Sequence, residues 1–247
     1  MHYHNQYSSP QPNAIHLSPN HVKLPYDVNF CFPIRALEDN KVVVTPLIPS
    51  VHAKTVFELI SEYPCVMRYM SIHSFLVLSA FEAHCESARA NPETCLFVII
   101  KQGTQDEIQG IINFCHASPV LSTIEIGSVI VFPPYQGTHV STHAIGLMMQ
   151  YALDVPSLGG LGVRRLQWQC YTINIASIKV AQRMGFNDEA IIRWHRPQAI
   201  GKESCAPFRA DDSLGLPGRH SAYLSVCWDD WEGGVRDRVA ELLKSRG

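Results

Sequence analysis

Apolar residues fall into short blocks separated by proline, glycine and polar clusters. Seven blocks carry the β-branched enrichment or alternation of strands: 41–47 (KVVVTPL), 95–101 (CLFVIIK), 108–115, 123–131 (TIEIGSVIV), 163–171 (VRRLQWQCY), 187–194 and 221–227 (SAYLSVC). The blocks at 95–101 and 108–115, joined by a polar turn, predict an antiparallel hairpin. Helical spacing marks the intervening stretches. Residues 50–63 predict a helix with Ser50 as N-cap, stopped by Pro64. Residues 74–90 predict a second, with Phe75, Leu78, Phe81 and Cys85 on one face. An apolar helical run covers 144–153, and another helix follows Asn174, with Ile178, Ala181 and Met184 inward and Gly185 as its stop. Trp231, Val235, Val239, Leu242 and Leu243 give the inner face of a closing amphipathic helix.

Two stretches stand apart. Residues 1–24 are rich in His, Asn, Gln, Ser and Pro and predict a flexible N-terminal arm, leaving 25–247 as one domain. Residues 195–220 are rich in Gly, Pro and Asp and predict a long inserted loop, in which Asp211 and Asp212 are placed either to meet an amine or to form a solvated acidic loop. An apolar content of 46% supports a full core, and a net charge of −2 without a basic run argues against a nucleic-acid partner. No apolar run is long enough to span a membrane, and the N-terminus has no leader-like apolar region. Eight cysteines without a C-x-x-C pair read as reduced thiols of a cytoplasmic protein. Twelve histidines show no H-E-x-x-H spacing, so no metal is expected.

The stretch from 123 to 154 organises the rest. A strand with one charge, Glu125, ends at Pro133 and Pro134; the turn Gln136, Gly137, Thr138, His139, Val140, Ser141, Thr142 leads into the helical run. Unpaired N–H groups at such a junction suit an anion, and small side chains let it approach; the alternative is an ordinary strand-to-helix turn with a Ser or Thr cap. Glu125, alone in an apolar strand, is a candidate general base whose pKa burial would raise, or a structural Glu paired with an arginine such as Arg193. Arg164 and Arg165 either assist an anionic cofactor or begin a solvated strand.

This segment resembles motif A of the GNAT acetyltransferases, in a fungal-type variant of the RimJ/RimL-like branch, through Gln136, Thr138, Thr142 and Ala144, with His139 and Ser141 where glycine is usual. The segment 172–186 is similar to the motif B of that branch through Asn174, Ser177, Ala181, Gly185 and Phe186. The resemblance implies a mixed α/β (α+β) fold: a twisted, mostly antiparallel sheet of about seven strands with helices on both faces. It implies acetyl-CoA as co-substrate, its pyrophosphate held by the backbone of residues 136–142. It further implies Val131 N–H as oxyanion donor, Asn174 on the pantetheine amide, and Ser177 or else Tyr171 as proton donor to the leaving thiolate. Tyr63, Arg68, Tyr69, Met70 and Phe75 become candidates for the acceptor wall. The expected reaction is acetyl transfer to a primary amine, on a small molecule or a peptide N-terminus, in a ternary complex, by a monomer or homodimer. Another acyl-CoA or specialised-metabolism chemistry, or a non-catalytic CoA-binding module, remain the alternatives.

Overall fold

A computed structural model describes residues 26–72, 74–207 and 209–245. The arm expected over residues 1–24 lies outside the described residues. Eight strands form one sheet: β1 (Leu37–Glu38), β2 (Val42–Pro46), β3 (Cys95–Lys101), β4 (Ile108–Ser118), β5 (Thr123–Val131), β6 (Arg165–Tyr171), β7 (Asn187–Pro197) and β8 (Gly218–Cys227). Their spatial order is β1-β2-β3-β4-β5-β6-β8-β7, antiparallel throughout except between β5 and β6. The strand beyond the expected seven is the two-residue edge β1. The helices are α1 (Lys54–Glu62), α2 (Leu78–Ala90), α3 (Val140–Leu153), α4 (Ile175–Met184), the single turn α5 (Trp228–Asp230) and α6 (Arg236–Ser245).

The sheet separates two apolar clusters. On one face Ile124 and Ile126 of β5 and Leu166, Trp168 and Cys170 of β6 pack with α3, with Ala181 and Met184 of α4, and with Val239 of α6. On the other face Val98, Ile100, Ile108 and Ile130 meet Val56 and Ile60 of α1 and Phe81 and Cys85 of α2. Burying each Val, Leu, Ile, Phe or Met among them contributes about 1.5–3 kcal/mol. Among the described residues, no buried residue of β6, β7 or β8 belongs to the second cluster, so that part of the sheet presents a face that no described helix joins in an apolar cluster.

Helix starts differ from the sequence reading. Ser50 is not a cap: a turn at Pro49–Ala53 follows extended Ile48, and no side chain caps it. The second helix begins at Leu78, because Val77 before it is extended and Leu76 is 92% exposed. The third begins at Val140, four residues ahead of the expected apolar run. Asn174 does cap α4, its side chain accepting from Ser177 N–H at 3.2 Å, and Gly185 ends it in the left-handed region, φ 102°. All eight cysteines are free thiols.

Two bulges shape the centre of the sheet. Between β4 and β5 the register passes from Asn113↔Gly127 to Ile111↔Ile130, so β5 carries an extra residue, with Ser128 at φ 48°. Further along, Cys115↔Glu125 gives way to Ser118↔Thr123, so β4 carries the extra residue, with His116 at φ 47°. A non-glycine residue there costs about 1–3 kcal/mol, and such strain gathers at functional sites.

Candidate active site

Strands β5 and β6 pair over four residues only, Thr123↔Arg165 to Ile126↔Trp168. Beyond that point β5 stays with β4 and β6 stays with β8, so the two diverge and a wedge opens in the sheet. Val131 lies on its β5 side. Phe132 N–H donates to Gln109 C=O at 2.9 Å, and ladder alternation turns the polar groups of Val131 away from β4. Its carbonyl accepts from Gln136 Nε2 at 2.8 Å, leaving its N–H facing the wedge.

The turn after β5 sits at the wedge mouth. Gln136 N–H is spent on Pro133 C=O at 3.2 Å, and Val140 N–H reaches Thr138 Oγ1 at 3.4 Å. The N–H groups of Gly137, Thr138, His139, Ser141 and Thr142 have no backbone acceptor among the described residues, and no side chain caps α3. Gly137 takes φ 75°, and a Cβ there would meet nothing within 4 Å, so the approach is open. Free donors at the tip of a 14-residue helix form a cradle that fits a diphosphate. Of the expected holders, Gln136 contributes its side chain to Val131, and Thr142 is fully buried with its hydroxyl accepting from Arg183 Nη2 at 3.0 Å. His143 is buried just inside the helix, its Nδ1 2.6 Å from Asp39 Oδ2. Burial alone would raise the Asp39 pKa, but hydrogen bonds from Val42 N–H, His143 and Lys41 N–H outweigh it and hold the carboxyl below its usual value.

Glu125 alternates with Ile124 and Ile126, so it points to the face opposite the α3 core. It is 4% exposed, and its Oε2 meets His116 Nδ1 at 2.9 Å and Gln169 Nε2 at 2.5 Å. The partner is therefore a histidine and an amide; Arg193 is exposed on β7 and does not bond it. The His116 bulge lets consecutive residues share a face: Cys115 Sγ, His116 Nδ1 and a Glu125 oxygen lie within 4.8 Å of one another. The network continues from Gln169 to Tyr223 Oη (2.7 Å) and from Tyr223 Oη to Gln167 Oε1 (2.7 Å). The hydrogen bond to Glu125 raises the His116 pKa, against partial burial and the Arg196 charge. Arg196 Nη2 stands 3.4 Å from His116 Nε2.

Ser177 and Tyr171 lie on opposite sides of β6. Ser177 is in the first turn of α4, its Oγ accepting from Trp168 Nε1 at 3.0 Å. Tyr171 is on the Glu125 face, buried, donating from Oη to Glu203 C=O at 3.3 Å; burial pushes its pKa up. The β7–β8 connection crosses over it. Lys202 Nζ donates to the carbonyls of Met67 (2.6 Å) and Met70 (3.0 Å), and Arg68 pairs with Glu203 at 2.9 Å. A cleft of about 760 Å³ lies between residues 64–76 and 201–203. Of the wall candidates, Arg68, Tyr69 and Met70 meet this connection or Arg219 after it, whereas Phe75 packs edge-on against Phe81, 5.1 Å between centroids.

Two pairs of residues take the structural one of the two roles their sequence left open. Arg165 forks onto Glu189 (2.6 and 2.7 Å), and with Arg164 stands at the start of β6; in a parallel pair this is the end away from the turn that follows β5. Asp211 pairs with Arg209 at 2.9 Å, and Asp212 accepts from Leu214 N–H at 2.9 Å, so both shape their own loop. The sequence reading missed His116, Gln169, Tyr223, Arg196 and Arg219. The alternation Leu166-Gln167-Trp168-Gln169-Cys170 carried a signal, since polar residues on one side of an inner strand announce a polar face.

Among curated proteins no relative matches the chain. Solved structures share its fold. A GCN5-related N-acetyltransferase from Brucella melitensis superposes with TM-score 0.69 at 24% identity, covering 85% of this chain and 86% of its own. A microcin self-immunity acetyltransferase, solved with acetyl-CoA and AMP, gives 0.59 at 17% identity over 76% and 93%. A Salmonella typhimurium acetyltransferase that modifies the N-terminal serine of a 50S ribosomal subunit protein gives 0.61 at 14% identity over 78% and 99%. The family described as acetyltransferase (GNAT) domain matches residues 41–187, more than half of the chain, and takes in the wedge, the donor-lined turn and the capped α4. By that match and by its eight-stranded, mostly antiparallel mixed α/β fold, the chain belongs to the GNAT acetyltransferases.

Proposed function

We propose that this chain is an N-acetyltransferase of the RimJ/RimL-like branch, moving the acetyl group of acetyl-CoA to a primary amine of a small molecule or peptide N-terminus by direct attack. The observation that carries the reading is the wedge between β5 and β6, with free N–H donors at its mouth and the Glu125 network on the face opposite the α3 core. The ribosomal-protein enzyme from Salmonella supports the branch, and eight free thiols support a cytoplasmic setting. The acetyl donor supplies a thioester; the remaining tasks fall to the chain.

The amine must lose a proton, and Glu125 is the carboxylate for it, acting through His116 or a water because its oxygens are buried. Val131 N–H, turned toward the wedge, would donate to a thioester oxygen as it gains charge. Asn174 spends Oδ1 on the α4 cap and keeps Nδ2 free to donate to an amide. Ser177 accepts from Trp168 and has only the Cys170 thiol, a weak acceptor, beside its hydroxyl, whereas Tyr171 donates to the Glu203 carbonyl, so Ser177 is the better donor to the departing thiolate. The test is CoA release with acetyl-CoA and longer acyl-CoAs against a panel of amines and N-terminal peptides. Release that requires acetyl-CoA and an amine supports the reading. Binding without release on every acceptor refutes it in favour of a CoA-binding module.

A further inference from the structure

Arg219 is 7% exposed, and no carboxylate lies within ion-pair distance of it among the described residues. Its Nη1 donates to neutral oxygens, Tyr69 C=O at 3.3 Å and Ser71 Oγ at 3.0 Å, and its Nε is buried without any acceptor. The guanidinium lies over the Tyr171 ring, 5.5 Å from the centroid. Directly across the β7–β8 ladder stands a second arginine, Arg196, whose one side-chain hydrogen bond among the described residues is the 3.4 Å contact with His116 Nε2, made when that ring is neutral. Like charges directly opposite in a sheet destabilise it, and buried charges are ordinarily paired. Burial and the Arg196 charge depress the Arg219 pKa, and Glu125, outside ion-pair distance, offsets them only in part. The chain keeps two costly cations side by side, on the sheet face that holds Glu125.

We propose that Arg219 and Arg196 form the anion subsite of the acceptor, so that the preferred amine carries an oxyanion, carboxylate or phosphate, near its amino group. This rests on the acetyl-transfer reading above. The arrangement is dipolar: Glu125 and His116 draw the amino end, and the two arginines, one hydrogen-bond step further through His116, draw the anionic end. A guanidinium fork matches the flat oxyanion geometry, and Arg219 Nε offers a donor with no other use. A cationic or neutral acceptor would leave both charges uncompensated.

The experiment compares matched acceptors, glycine with glycinamide and phosphoethanolamine with ethanolamine, on the wild type, Arg196→Gln and Arg219→Lys. The expected result is a kcat/KM about 10²-fold higher for the anionic member of at least one pair. Which pair responds distinguishes carboxylate from phosphate. The preference falls about tenfold or more in each variant while the KM for acetyl-CoA is unchanged. Arg196→Gln, near the surface, carries the test if Arg219→Lys folds poorly. Equal or better use of the neutral members, or a preference that survives both substitutions, overturns the proposal. If the wild type releases no CoA with any amine, acetyl transfer falls instead, and calorimetry of phosphoethanolamine and glycine with the wild type and Arg196→Gln decides the subsite. Binding lost in the variant supports it, and no binding, or equal binding, overturns it.

Discussion

Replacing Glu125 with Gln removes a charge from a site 4% exposed while keeping shape. Glu125 Oε2 accepts from His116 Nδ1 and Gln169 Nε2, and an amide can serve those two donors with one oxygen and without charge. Hydrogen bonds to a charged group contribute about 1.5–3 kcal/mol and neutral ones about 0.5–1.5. The His116 bond is discounted because His116 is about half exposed and solvent screens it. The expected stability loss is therefore about 1–2 kcal/mol, or about 2–4 °C in Tm per kcal/mol for a chain of this size. Turnover falls further: loss of a general base costs about 10²–10⁴-fold, a barrier increase of about 3–5 kcal/mol. Acetyl-CoA affinity stays, because the cradle at 137–142 shares no bond with Glu125. The pH dependence has a definite sign. Glu125 raises the His116 pKa, so the stability from that pairing is fully present below the unfolded histidine value of about 6.5 and is lost as pH rises through the higher folded value. The Tm difference between wild type and Glu125→Gln should be largest near pH 6 and shrink as pH rises through the raised His116 value. The measurements are steady-state CoA release, calorimetric acetyl-CoA binding and thermal melts across that range. Wild-type turnover in the variant removes Glu125 from the chemistry, and a Tm gap that widens with pH refutes its pairing with a protonated His116.

Asn174→Ala removes the α4 cap, a loss of about 1 kcal/mol, and should also weaken acetyl-CoA binding measured by calorimetry; unchanged affinity would reduce Asn174 to its capping role. Gly127→Ala places a Cβ 2.7 Å from Cys115 Sγ, beside Glu125. Overpacking of that kind costs about 1–3 kcal/mol, and turnover should drop with Tm. Adding Cys115→Ala should restore both, and a double variant as impaired as the single one would show that the contact is not the cause.

The strands were legible where β-branched runs meet hard stops. Cys95–Lys101 and Thr123–Val131 fall within their expected bounds because Pro, Gly and polar turns flank them. Helix starts were less legible, since the first turns of α1 and α3 are entered from Pro49 and from the 136–139 turn without a side-chain cap. Motif positions such as Asn174 and Ser177 could be placed because one helix carries both. His116, Arg196 and Arg219 could not: they come from three strands, and only a bulge in β4 and the β7–β8 register bring them to Glu125. A side chain's face depends on counting residues along the strand, and an inserted residue at a bulge reverses the count without leaving a mark in hydropathy.

The short seam between β5 and β6 makes this sheet a nearly divided body. Strands β1 to β5 form one panel, β6, β8 and β7 another, and four residue pairs join their edges. A molecule seated between the panels acts as mortar as much as reactant. Occupancy at 100 times Kd adds about 2.7 kcal/mol to the folded state, and amides on the facing edges of both panels should slow their hydrogen exchange together when the gap fills.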